Sequence, residues 1–155
     1  MNKPFDIPVE YLTDDEIAEL SKIVGRFEEV SKRDENQEGF MSFVKHVWPT
    51  FIEGNHHKIY ADKLQRVAEG KLKRLIVNMP PRHTKSEFAS YLFPAWLMGR
   101  KPETKIIQAT HTAELAVGFG RKVKNLIDSE IYRDVFPELK LAADAKASGR
   151  WSTSK

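Results

Sequence analysis

The chain has 155 residues, no cysteine, 41% hydrophobic and 30% charged residues, and 25 basic against 22 acidic side chains for a net charge of +3. This composition suits one compact globular unit and excludes disulfides, cysteine-based zinc sites and compositional disorder. No apolar run approaches the ~18 residues of a membrane-spanning helix, and Met1 to Asp6 contain no apolar signal region.

Charge is unevenly spread. Residues 13–38 are rich in acids, whereas residues 56–85 carry Lys58, Lys63, Arg66, Lys71, Lys73, Arg74, Arg82 and Lys85. The plain reading of such runs is a set of solvated faces, and the functional one is a surface for nucleotide or nucleic-acid phosphates.

In chain order, Thr13-Asp14-Asp15-Glu16 reads as a capping box, with Thr13 as N-cap and Glu16 three residues on. Ile17, Leu20, Val24, Phe27 and Val30 recur every three or four residues and predict an amphipathic helix that stops before the polar stretch Ser31 to Glu38. Phe40, Phe43, Val44, Val47 and Trp48 predict a second helix, stopped by Pro49. Asp62 to Glu69 reads as a third, short helix with Gly70 as its left-handed C-cap. Residues 1–50 therefore form a helical N-terminal segment.

Leu72 to Asn78 is the first predicted strand, and its unbroken apolar centre suggests burial on both faces, as in a parallel sheet. Pro80 and Pro81 force a turn. Lys85 to Met98 predicts a helix, kinked at Pro94 and ended by Gly99. Thr104 to Thr110 is a second strand, Thr112 to Ile127 a helix interrupted near Gly118-Phe119-Gly120, and Ile131 to Phe136 a short helix before Pro137. Strand, helix, strand, helix spells a βαβ unit, so the expected class is α/β, with a P-loop NTPase-like parallel sheet after an N-terminal helical segment.

The stretch Met79-Pro80-Pro81-Arg82-His83-Thr84-Lys85-Ser86 carries the chemistry. Strand, tight turn, Lys-Ser, helix is the layout of a phosphate-binding P-loop, in which free N–H groups and the helix dipole meet the phosphates, a Lys reaches their oxygens and a Ser hydroxyl holds Mg²⁺. Lys85 and Ser86 stand in register with that pattern, while Met79 and Thr84 occupy its two glycine positions. Pro81, Arg82, His83, Thr84, Lys85 and Ser86 are the candidate ATP-binding residues, Lys85 the candidate catalytic residue and Ser86 the candidate Mg²⁺ ligand. His56 and His57 lack the partners that a metal site needs. Arg121 is either a coupling residue or part of a solvated helix face.

These residues also carry a family resemblance. From about Phe51 onward, with His57, Arg74-Leu75-Ile76-Val77-Asn78-Met79-Pro80-Pro81-Arg82-His83, Ser86, Ile106-Ile107-Gln108-Ala109-Thr110-His111 and Gly149-Arg150-Trp151, the chain resembles the ATPase domain of tailed-bacteriophage terminase large subunits. Members commonly carry Gly just before the Lys, where this chain has Thr84. The resemblance implies that residues 51–155 are the N-terminal part of a P-loop ATPase domain, cut before the acidic Mg²⁺-binding strand, with the arginine finger and nuclease domain absent. It implies ATP and Mg²⁺ as cofactors, with His57, Tyr60 or Trp48 as candidates to stack on the base. It implies double-stranded DNA, a terminase small subunit and a portal protein as partners, a ring oligomer in the parent protein, and the host cytoplasm, transiently on the procapsid, as location. The expected function is then the ATP-binding part of a DNA-packaging motor. Two other readings stay open: a different P-loop ATPase such as a helicase, and a truncated non-catalytic remnant.

Overall fold

A computed structural model describes residues 12–142 and 149–154. The chain divides into two compact units, residues 1–32 and residues 33–155. Among the described residues, six α-helices and one π-helical segment account for the regular structure: α1 (Asp14–Glu38), α2 (Phe40–Val47), α3 (Asn55–Ala68), the π-helical segment (Glu87–Leu92), α4 (Phe93–Arg100), α5 (Ala113–Ile127) and α6 (Glu130–Val135).

In the first unit, α1 begins with the predicted capping box. The Thr13 N–H and hydroxyl both donate to Glu16 Oε2 at 2.8 Å, and the Glu16 N–H donates to Thr13 Oγ1 at 3.4 Å. The helix continues through Ser31 to Glu38, eight residues past the predicted stop.

The second unit explains that extension. Trp96 Nε1–H donates to the carbonyl of buried Asn36 at 3.1 Å, and the Gln37 amide donates to the Val135 carbonyl. Tertiary partners thus hold a last stretch whose own apolar pattern has run out.

The core of this unit is aromatic. Phe40, Phe43, Phe88, Trp96 and Tyr132 are fully buried, joined by Leu92, Val123, Ile127 and Val135. Phe40 meets Phe88 and Phe93 edge-on, each at 5.6 Å between ring centroids, a favoured geometry for aromatic pairs. The Tyr132 hydroxyl donates to the Ala95 carbonyl at 2.8 Å, so its one polar atom is satisfied inside the core.

The expected α/β class is corrected: the fold is all-helical. The described residues contain no strand and no sheet. Their only ladder-like contact is an isolated antiparallel bridge between Leu141 and Thr153. Residues 72–78 lie between α3 and the π-helical segment without helical hydrogen bonds, and no backbone hydrogen bond joins them to residues 104–110. Burial alternates along the first run. Leu75, Val77 and Met79 pack against the helical core, while Ile76 is 89% exposed. Ile107 in the second run is 93% exposed. Apolar continuity signalled burial on two faces, but packing on the helices satisfies only one. A ladder also needs a partner strand alongside, which the apolar pattern alone does not supply.

Candidate functional site

The candidate loop lies between residues 72–78 and the helical stretch that begins at Lys85. The Phe88 N–H donates to the Thr84 carbonyl at 2.9 Å, which makes Thr84 the N-cap and places Lys85 and Ser86 in the first turn. Arg82 and Thr84 have φ of 64° and 59°. A β-branched residue in this left-handed region is uncommon and strained. Thr84 thus adopts the backbone conformation for which a glycine is normally used, at the position where the P-loop pattern has one. Met79 does not.

A chain of hydrogen bonds holds Thr84 there. The Gly54 N–H donates to His57 Nδ1 at 2.9 Å, so that nitrogen is unprotonated and Nε2 carries the hydrogen. His57 Nε2–H then donates to Thr84 Oγ1 at 2.7 Å, and the Thr84 hydroxyl donates to the His83 carbonyl, also at 2.7 Å. The Tyr60 hydroxyl donates to the Lys85 carbonyl at 3.3 Å. One face of α3 therefore fixes the loop and the first helical residue after it.

His57 is buried, wedged against Phe51 at 4.8 Å and Phe88 at 5.5 Å between ring centroids. Burial pushes its pKa below the ordinary histidine value; neighbouring His56 and His83 push the same way and Glu53 opposes them. Burial also pushes the Tyr60 phenol up to about 12. His57 stays neutral near pH 7, as its acceptor role toward Gly54 requires.

The polar groups of the loop have few partners within the chain. The backbone N–H groups of residues 82–87 make no hydrogen bond among the described residues. Lys85 is half-buried and its ammonium has no ion-pair partner among them, and the hydroxyl of exposed Ser86 makes no hydrogen bond there either. Arg82 is exposed, and His83 Nδ1 lies 2.9 Å from the Pro81 carbonyl. Glu87, next after Ser86, pairs with Lys122 at 3.0 Å. Beyond Glu87 an open cleft of about 750 Å³ runs along α5, lined in part by His111, Arg121 and Lys122.

The loop residues Pro81 to Ser86 are thus brought together at one helix start. The base-stacking candidates are placed differently. Tyr60 is buried and stacks on Phe88 at 5.8 Å, and Trp48 packs on Phe51 at 5.3 Å. His56 and His57 lie 3.8 Å apart between ring centroids, and no group of three metal-ligating side chains converges among the described residues. The holding role of His57 escaped the sequence reading. Its signal was Gly54-x-x-His57, a side chain three residues into a helix reaching back to the N-cap amide as a capping-box acid does.

No protein-family model, no curated protein and no solved structure matches the chain. The expected membership of the terminase large subunits is therefore corrected. Nothing among known families supports it, and an all-helical fold without a strand is unlike the sheet of that ATPase domain. No helix among the described residues is long and apolar enough to cross a membrane.

Proposed function

We propose that this chain binds the phosphates of a nucleotide, ATP with Mg²⁺, in the loop from Pro81 to Ser86. The observation that carries the reading is the run of unpaired amides at residues 82–87, at a helix start, beside an unpaired half-buried Lys85. Consecutive N–H groups in a turn of mixed handedness make a concavity suited to an anion, and the helix dipole adds positive potential there. Lys85 supplies a full charge and Arg82 a planar fork for phosphate oxygens. Mg²⁺ takes oxygen ligands and keeps several waters, so the free Ser86 hydroxyl together with the phosphates is a sufficient donor set. Double-stranded DNA, a small subunit and a portal protein followed from the family resemblance alone and are not carried into this proposal.

Binding without turnover is the expected behaviour. Hydrolysis needs a carboxylate or amide that orients water, and Glu87, beside the loop, is held by Lys122. The test is amide chemical-shift mapping with Mg²⁺-ATP and, separately, with inorganic triphosphate. Shifts should cluster on residues 82–87 with both ligands and vanish in Lys85→Ala. Shifts elsewhere, or none in the wild-type protein, would overturn the assignment.

A further inference from the structure

We propose that α1 is a self-association element, on whose apolar face a second copy of this chain packs antiparallel. Ile17, Leu20, Ile23, Val24, Phe27 and Val30 are between 37% and 73% exposed, and none of them belongs to the hydrophobic core. At ~100° per residue they fall in one stripe roughly 140° wide. An apolar stripe of this kind on a helix asks for a partner.

The spacing is self-complementary. Turned end for end about the point between Ile23 and Val24, a second helix sets its Val30 opposite Ile17, its Phe27 opposite Leu20 and its Val24 opposite Ile23. Such a two-fold contact closes on itself and forms dimers rather than filaments.

Charge selects the direction. On the same helical wheel Asp14 and Lys32 share one flank of the stripe, and Glu19 and Arg26 share the other. None of the four has an ion pair within the chain among the described residues. In an antiparallel pair each flank meets its own counterpart. Asp14 then faces Lys32 of the second copy, and Glu19 faces its Arg26. A parallel pair would instead bring together the acidic first turns, Asp14, Asp15 and Glu16, with the two helix dipoles aligned.

The six side chains leave roughly 600 Å² in water, so a pair buries roughly 1,200 Å², the lower edge of specific interfaces. The expected dimer is correspondingly weak, with a dissociation constant on the order of 10 to 100 μM.

The experiment is sedimentation equilibrium of the full chain from roughly 1 to 200 μM, with three variants. Phe27→Asp, outside the core, should weaken dimerisation at least about tenfold while leaving the helical circular dichroism unchanged. Glu19→Arg should weaken it, and Glu19→Arg with Arg26→Glu should restore it. The chain has no native cysteine, so a nitroxide on Asp15→Cys reads direction. At 1.5 Å rise per residue the antiparallel register separates the two labels by roughly 25–30 Å, against roughly 10–15 Å for a parallel pair. A monomer across the whole range, a dimer indifferent to Phe27→Asp, or the short label distance would each overturn the proposal.

Discussion

Thr84 carries the sharpest test of how this loop is held. Its hydroxyl makes two hydrogen bonds, to His57 and to the His83 carbonyl. Thr84→Val keeps the branched Cβ, and with it the left-handed strain, but removes both bonds. At about 1 kcal/mol each, plus the cost of leaving the buried His57 N–H without an acceptor, the loss is about 2–3 kcal/mol. For a chain of this size that lowers the melting temperature by roughly 5–10 °C. Thr84→Gly loses the same bonds but releases about 1–2 kcal/mol of left-handed strain, offset in part by about 0.5–1 kcal/mol from the freer unfolded chain. Thr84→Ser keeps the hydroxyl and should stay close to the wild type.

The expected order of stability is therefore Thr, then Ser, then Gly, then Val, read by urea unfolding and thermal circular dichroism. A cycle of Thr84→Val with His57→Ala should show a coupling of about 1 kcal/mol, as contacting partners do. A Val variant within about 0.5 kcal/mol of the wild type, less than one hydrogen bond, would show that the hydroxyl does not hold the loop. Gly as the most stable of the four would show the same, because strain alone would then govern the position.

Other outcomes follow from single contacts. The His57 pKa is lowered in the fold, so the unfolded chain takes up the proton first as pH falls; stability should rise as pH rises toward the ordinary histidine value, and an unchanged slope in His57→Gln urea titrations would refute this. Gly99→Ala places a Cβ 2.5 Å from the ring of buried Phe136, and overpacking of about 1–3 kcal/mol should exceed the ~1 kcal/mol of helix propensity gained; a raised melting temperature would contradict it. Gln108→Leu leaves the Ser90 carbonyl without its 2.7 Å donor and should lower the urea midpoint by an amount equivalent to about 1–3 kcal/mol.

Local signals in the sequence were reliable where the deciding partner was also local. The Thr13–Glu16 box and the αL residue Gly70 at φ 74° both involve atoms a few residues apart. The aromatic core positions Phe40 and Phe43 followed from helical spacing. The end of α1 was not legible, because Trp96 and Val135 hold it from far along the chain. Gly99 read as a helix stop, yet α4 continues to Arg100 and the missing Cβ makes room for Phe136. The start of α3 at Asn55 was missed because its cap uses a histidine. In the site, Lys-Ser at a helix start was legible, whereas the left-handed φ of Thr84 was not: the residue type argues against it, and only the hydroxyl's partners stabilise it. The strands failed for a related reason, since apolar composition at Ile76 and Ile107 says nothing about what lies alongside.

Pro94 links the helix behind the loop to the loop itself. Proline has no N–H, so the Ser90 carbonyl loses its usual partner four residues on; the Gln108 side chain takes its place. Just before it the helix widens to a π turn, with the Phe93 N–H bonded to the Phe88 carbonyl five residues back. Further back, the Lys85 carbonyl accepts from the Tyr60 hydroxyl. This helix is therefore secured from outside at both points, by α3 at Lys85 and by Gln108 at Ser90. Two left-handed residues cost a few kcal/mol together and persist only where surrounding structure over-determines them. At Thr84, His57 and Tyr60 are that structure, and Phe88, packed against both rings, seats them. Loosening α3 should thus release the loop's amides from their common direction before it unfolds the helical core, and phosphate affinity should fall at denaturant concentrations where the aromatic core is still intact.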